Sequence, residues 1–147
     1  ISFNAGGYVT TYDVSTQVES DRPVITERAM YGGGRTWGHD SVGATAPAST
    51  WYLAEGCTDG GFETWVLVQN PNPEPAHVKL TFMTKEGPIP GPETDLAANS
   101  RISFNAGGYV TTYDVSTQVE SDRPVIAERA MYGRGRTWGH DSVGYGP

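Results

Sequence analysis

Residues 1–43 occur again at 102–144, displaced by 101 positions, with two differences: Thr26 stands against Ala127 and Gly33 against Arg134. Such a repeat constrains the fold before any single residue is read. The chain runs as a half unit (1–43), a different block (44–101), and the half unit again (102–144). A period of 101 residues is far longer than a solenoid repeat and has the length of an independent β-sandwich module of about 100 residues. The expected organisation is a partial repeat at 1–43 (the C-terminal half of a module), a linker at 44–49, a complete sandwich at 50–144 and a tail at 145–147.

The strand pattern agrees with an all-β, Ig-like antiparallel sandwich of about seven strands per repeat. Ala76, Val78, Leu80 and Phe82 alternate with His77, Lys79, Thr81 and Met83, the period of a half-buried strand. Thr50–Glu55 and Phe62–Asn70 read as further strands, and Asn70-Pro-Asn-Pro-Glu-Pro75 stops the second because proline has no N–H to donate. Ser100–Asn105 and Asp114–Ser121 follow, then a turn at Ser121–Pro124 leading into Val125–Tyr132. Val78, Leu80, Phe82, Ile102, Phe104, Val115 and Val119 are the expected core, with His77, Lys79 and Gln118 outside. The 19 glycines and 10 prolines fall between these stretches rather than in tracts, and no segment keeps a helical period.

Composition removes several function classes. A net charge of −7, with Lys79 and Lys85 the only lysines, argues against nucleic-acid binding. No apolar run is long enough to span a membrane as a helix. The residues from Ile1 lack the basic start and apolar centre of a secretion signal, so any targeting segment is expected to be already removed. Cys57 is the single cysteine and cannot form an internal disulfide.

The strings Trp51-Tyr-Leu-Ala-Glu-Gly56, Gly61-Phe-Glu-Thr-Trp-Val-Leu-Val-Gln-Asn-Pro71 and Ser121-Asp-Arg-Pro-Val-Ile-Ala-Glu-Arg-Ala-Met-Tyr132 carry a resemblance. They resemble a tandem repeat of large, mostly uncharacterised bacterial surface or secreted proteins of actinobacterial type. The resemblance covers the 101-residue period and implies an extracellular Ig-like module used in arrays, without assigned catalytic residues. Cys57 departs from it, standing where a small polar residue is expected.

The chemistry-bearing residues read mostly as structural. His39-Asp40-Ser41 and His140-Asp141-Ser142 contain the residue types of a hydrolase triad, but adjacent side chains on extended backbone point to opposite faces. Glu55, Asp59 and Glu63 surround the Gly56–Gly61 loop without the spacing of a calcium site. Cys57 in the same loop is flanked by acids rather than bases, unlike a catalytic thiolate. Gly32-Gly-Gly-Arg35 lacks the Gly-Lys-Ser/Thr ending of a phosphate loop. Arg129 lies on an apolar face, so its charge must reach solvent or pair with Asp122 or a cross-strand carboxylate. Lys79 points outward, away from the burial an isopeptide bond would need. Trp37, His39, Trp138 and His140 remain, as residues for packing between modules or for stacking a sugar ring.

The reading that follows is a structural or adhesive module at the cell surface or outside the cell. It assembles in series or by strand exchange into a fibre or stalk, with self-association as its partner and no cofactor, metal or catalytic residue. A carbohydrate-binding module that presents its tryptophans to glycans is the alternative. Two near-identical half units compete for one 44–101 block, so residues 1–43 are expected to add strands to another subunit or to pack on a second copy of themselves rather than hang free.

Overall fold

The computed structural model describes residues 1–147. Nine strands carry the regular structure: β1 (Glu27–Gly32), β2 (Trp37–Val42), β3 (Ala48–Leu53), β4 (Glu63–Asn70), β5 (Ala76–Thr84), β6 (Gly87–Leu96), β7 (Ser100–Asn105), β8 (Ser116–Gly133) and β9 (Trp138–Val143). Two short 3-10 turns, Ala5–Gly7 and Ala106–Gly108, complete it. All strand pairs are antiparallel. The all-β sandwich expected from the alternation is what forms.

Its organising element is β8, 18 residues long and shared by both sheets. Residues 116–121 lie between β3 and β5, with β6 outside β5. From Ile126 onward the same strand lies between β4 and β9, with β7 outside β4. The turn expected at Ser121–Pro124 is therefore absent. There the chain stays extended and changes partners through a bulge: Thr50 faces Glu120, but Ala48 already faces Val125. Pro124, which has no N–H to give a ladder, sits where no continuous ladder is required.

Sixteen buried apolar residues form the core, including Val66, Val68, Val78, Leu80 and Phe82 from the 44–101 block and Phe104, Val110, Val115, Val119 and Val125 from 102–144. His77 and Lys79 are exposed as expected, Gln118 is half-buried, and Ile102 is half-buried against the edge of the core. Two expected boundaries move. β3 begins at Ala48, inside the stretch read as linker, because the Trp51 indole N–H donates to the carbonyls of Val125 (2.7 Å) and Ala48 (3.1 Å) and pins that start. The tail is also engaged, as Tyr145 exchanges two backbone hydrogen bonds with Tyr52.

The first copy behaves differently from the second. None of its residues enters the core. Residues 1–26 contain the 3-10 turn and no strand. Phe3 is 73% exposed against 9% for its twin Phe104, Val18 56% against 0% for Val119, and Val24 58% against 0% for Val125. Apart from that turn, the hairpin β1–β2 is what matches its counterpart, in β8–β9, with the same register from Glu27↔Val42 to Gly32↔Trp37.

Candidate functional site

The four residues singled out by sequence lie on the two hairpins, and local packing explains their pattern. In each hairpin a tryptophan faces a glycine across the strands: Gly32↔Trp37 and Gly133↔Trp138. A Cβ on Gly133 would fall 2.1 Å from the Trp138 ring, so glycine there is what lets the indole lie across the partner strand. A tyrosine covers a glycine on the opposite face, Tyr31 over Gly38 and Tyr132 over Gly139. Strand alternation thus gives each hairpin two faces. The inner one carries Arg28, Met30, Trp37, His39 and Ser41 in the first copy. The outer one carries Glu27, Ala29, Tyr31, Asp40 and Val42. The glycine-rich segment read as no phosphate loop is the hairpin turn, whose residues 33–35 all have positive φ.

In the second copy the inner face is turned toward the 44–101 block. The Trp138 ring meets Phe62 edge-on at 5.5 Å, and Arg129, only 4% exposed, pairs with Glu55 at 3.2 Å and donates to Ser142 Oγ. The expected partner Asp122 instead accepts the backbone N–H of His77. Burial pulls the Arg129 guanidinium below its ordinary range, with Glu55 opposing.

In the first copy the same inner face rests on the outer face of β8–β9. Arg28 forms ion pairs with Asp141 and Glu128. His39 Nδ1 lies 2.9 Å from Asp141 Oδ1 but is not aligned as a hydrogen bond. The Tyr132 hydroxyl lies 3.4 Å from His39 Nε2, and the Trp37 ring meets Tyr132 edge-on at 5.6 Å. The Asp141 side chain is fully buried, and its charge partner Arg28 and its neighbour His39 both come from the first copy. Desolvation lowers the His39 pKa, with Arg28 and His140 adding to the shift and Asp40 opposing it. Burial raises the Tyr132 phenol above its ordinary value. A neutral imidazole between a carboxylate and a protonated phenol suits a packed contact.

Sequence reasoning missed this His39–Asp141 pair because it joins two copies. Alternation within each string correctly separates the neighbours His39 and Asp40. The second copy of Asp40, placed on a receiving face, is what brings a carboxylate to His39. Ser142 serves Arg129, and Ser41 points its hydroxyl at the Val42 carbonyl.

The remaining candidates are dispersed. Glu55 pairs with Arg129, Asp59 accepts from the Gly60 N–H at 2.6 Å, and Glu63 takes Arg136, whose hydrogen bonds hold the Glu63 carboxyl below its ordinary range. Cys57 is buried; its backbone N–H donates to Thr64 Oγ1 and its thiol to the Asp59 carbonyl. Lys79 is exposed.

No protein-family model matches the chain, and no curated protein is significantly similar to it. Solved structures are similar in fold. The crystal structure of Thermotoga maritima 1070 superposes on 69% of this chain and 96% of its own, with a TM-score of 0.61 and 18% identity. The Anabaena sensory rhodopsin transducer covers 59% of this chain and 91% of its own, with a TM-score of 0.50 and 17% identity. At such identities the likeness concerns the fold alone. Both neighbours are used up almost whole by a part of this chain, and for the first that part is close to one 101-residue period in length.

Proposed function

We propose that this chain is a structural module of an extracellular or cell-surface repeat protein, in which the C-terminal half of each repeat closes a sandwich with a 44–101-type block and modules follow one another in series. One observation supports this most: Phe104, Val110, Val115, Val119 and Val125 are buried where a 44–101 block accompanies them, and their twins Phe3, Val9, Val14, Val18 and Val24 are exposed where none does. Surface placement and adhesive use rest on the resemblance of the three quoted strings. Strand exchange between two such chains does not relieve the exposure. Each chain brings two half units and one block, so one half unit per chain stays open however they are traded. A further block relieves it directly.

The test is an extended chain carrying a second 44–101 segment ahead of Ile1, which recreates the native junction Arg101–Ile102. Backbone amides of residues 15–26 should become as protected from hydrogen exchange as those of 116–127. Amides that exchange as fast as in the 147-residue chain would overturn the reading. The carbohydrate alternative has less support, since Trp37 and Trp138 each have an aromatic neighbour at ring contact. A glycan array showing saturable binding lost in Trp138→Ala would favour it.

A further inference from the structure

The hairpin β1–β2 has one inner face, and two surfaces have a claim on it. In the second copy the equivalent face is held by the 44–101 block, Glu55 on Arg129 and Phe62 on Trp138. In the first copy it is held by the outer face of β8–β9, with Asp141 and Glu128 on Arg28 and Tyr132 on Trp37. The two sets are of one kind: carboxylate for the arginine, from Glu55 in one and from Asp141 and Glu128 in the other, and an aromatic edge for the tryptophan.

We propose that the outer face of β8–β9 is a docking site for the inner face of an uncompleted hairpin of the same sequence, and that a 44–101-type block displaces it. The occupant is argued from the contacts themselves. The Asp141 side chain is fully buried, its charge is met by Arg28 of the hairpin, and the His39 ring lies against it. A buried charge left without partners is strongly unfavourable, so this face is built to be covered or to be opened to water. The covering surface in turn is half-finished: β1 lacks the β4-type neighbour that β8 has on one side, and the segment before it lies exposed. Asp141 and Tyr132 therefore hold a place on Arg28 and Trp37 that the missing block takes when it arrives. The contact keeps the tryptophan-bearing inner face of β1–β2 from meeting other chains while a module is incomplete.

This inference rests on the proposed completion of residues 1–43 by a second block, and one experiment separates the two. Hydrogen exchange is followed at residues 15–26 and 27–42 in the 147-residue chain and in the extended chain, each with and without Asp141→Asn. Arg28→Gln serves as an independent variant from the other side of the contact. In the 147-residue chain, either substitution should speed exchange at 27–42 at least tenfold while 116–127 keeps its protection. In the extended chain Asp141→Asn should leave 27–42 unchanged. If 15–26 becomes protected there and Asp141→Asn still speeds exchange at 27–42, docking and completion coexist and displacement is wrong, although the module reading stands. If 15–26 gains no protection, both fail. If neither substitution affects 27–42 in the 147-residue chain, the docking site is wrong whatever the extended chain does.

Discussion

Trp138 lying across Gly133 shows how narrowly single positions are set. Any side chain at 133 starts with a Cβ 2.1 Å from the indole, so Gly133→Ala must move the ring or the strand. Overpacking of this kind costs about 1–3 kcal/mol, and urea unfolding of Gly133→Ala should show a loss in that range. A loss within error would mean the indole does not sit there. The copies diverge close by: Gly33 and Arg134 occupy the same turn position, at φ of 55° and 48°. That conformation suits glycine and strains arginine, so the first copy has the more relaxed turn. The pairing of glycine with tryptophan was open to view in the string Tyr-Gly-x-Gly-Arg-Thr-Trp-Gly but reads as a flexible turn beside an exposed ring. Only the register across the hairpin makes the glycines structural.

Between the two copies, elements separate by what they need in order to form. The 3-10 turn appears in both, because Asn4 and Asn105 each accept a backbone N–H two residues on, at 3.0 and 2.9 Å. The hairpin also appears in both, with its register intact. The counterparts of β7 and of the first half of β8 do not form in residues 1–26, since their partners are strands of another block. Alternation in 76–83 and 115–119 was legible because one face is buried. The path of β8 was not, because Ser-Asp-Arg-Pro favours a turn locally and is overruled by two sheets that both require the strand. The docked hairpin should also respond to acid. His39 is faced by Asp141, Arg28 and Tyr132 and feels the charges of His140 and Asp40, and its pKa is lowered on docking, chiefly by desolvation. The released hairpin then binds the proton more readily. Docking is at full strength above the ordinary imidazole value near 6.5 and is lost as pH falls below it. Exchange at 27–42, corrected for its intrinsic pH dependence, should quicken between pH 7.5 and 5.5, and His39→Gln should abolish that change. A pH-independent rate in the unsubstituted chain would contradict it.

For the whole molecule, one strand serving two sheets joins the halves of the sandwich, and the second copy begins inside β7. Two copies share one 44–101 block, so the apolar residues of 1–26 remain open. The sequence revealed that imbalance by counting; it did not reveal the cover over the hairpin, which joins faces of two copies that no spacing within one string connects. The ends of the complete module have a further consequence. Tyr145 is bonded to Tyr52, and a Cβ on Gly146 would touch Ala48, so the chain enters and leaves at neighbouring points. Such a module adds little to the length of a tether while folded and releases nearly its whole contour when pulled open, roughly 330 Å for about 100 residues. Stretched between optical traps, an array of these repeats should lengthen in steps of that size. Its reach under load would then be set by how many modules have given way, and its slack would be recovered by refolding.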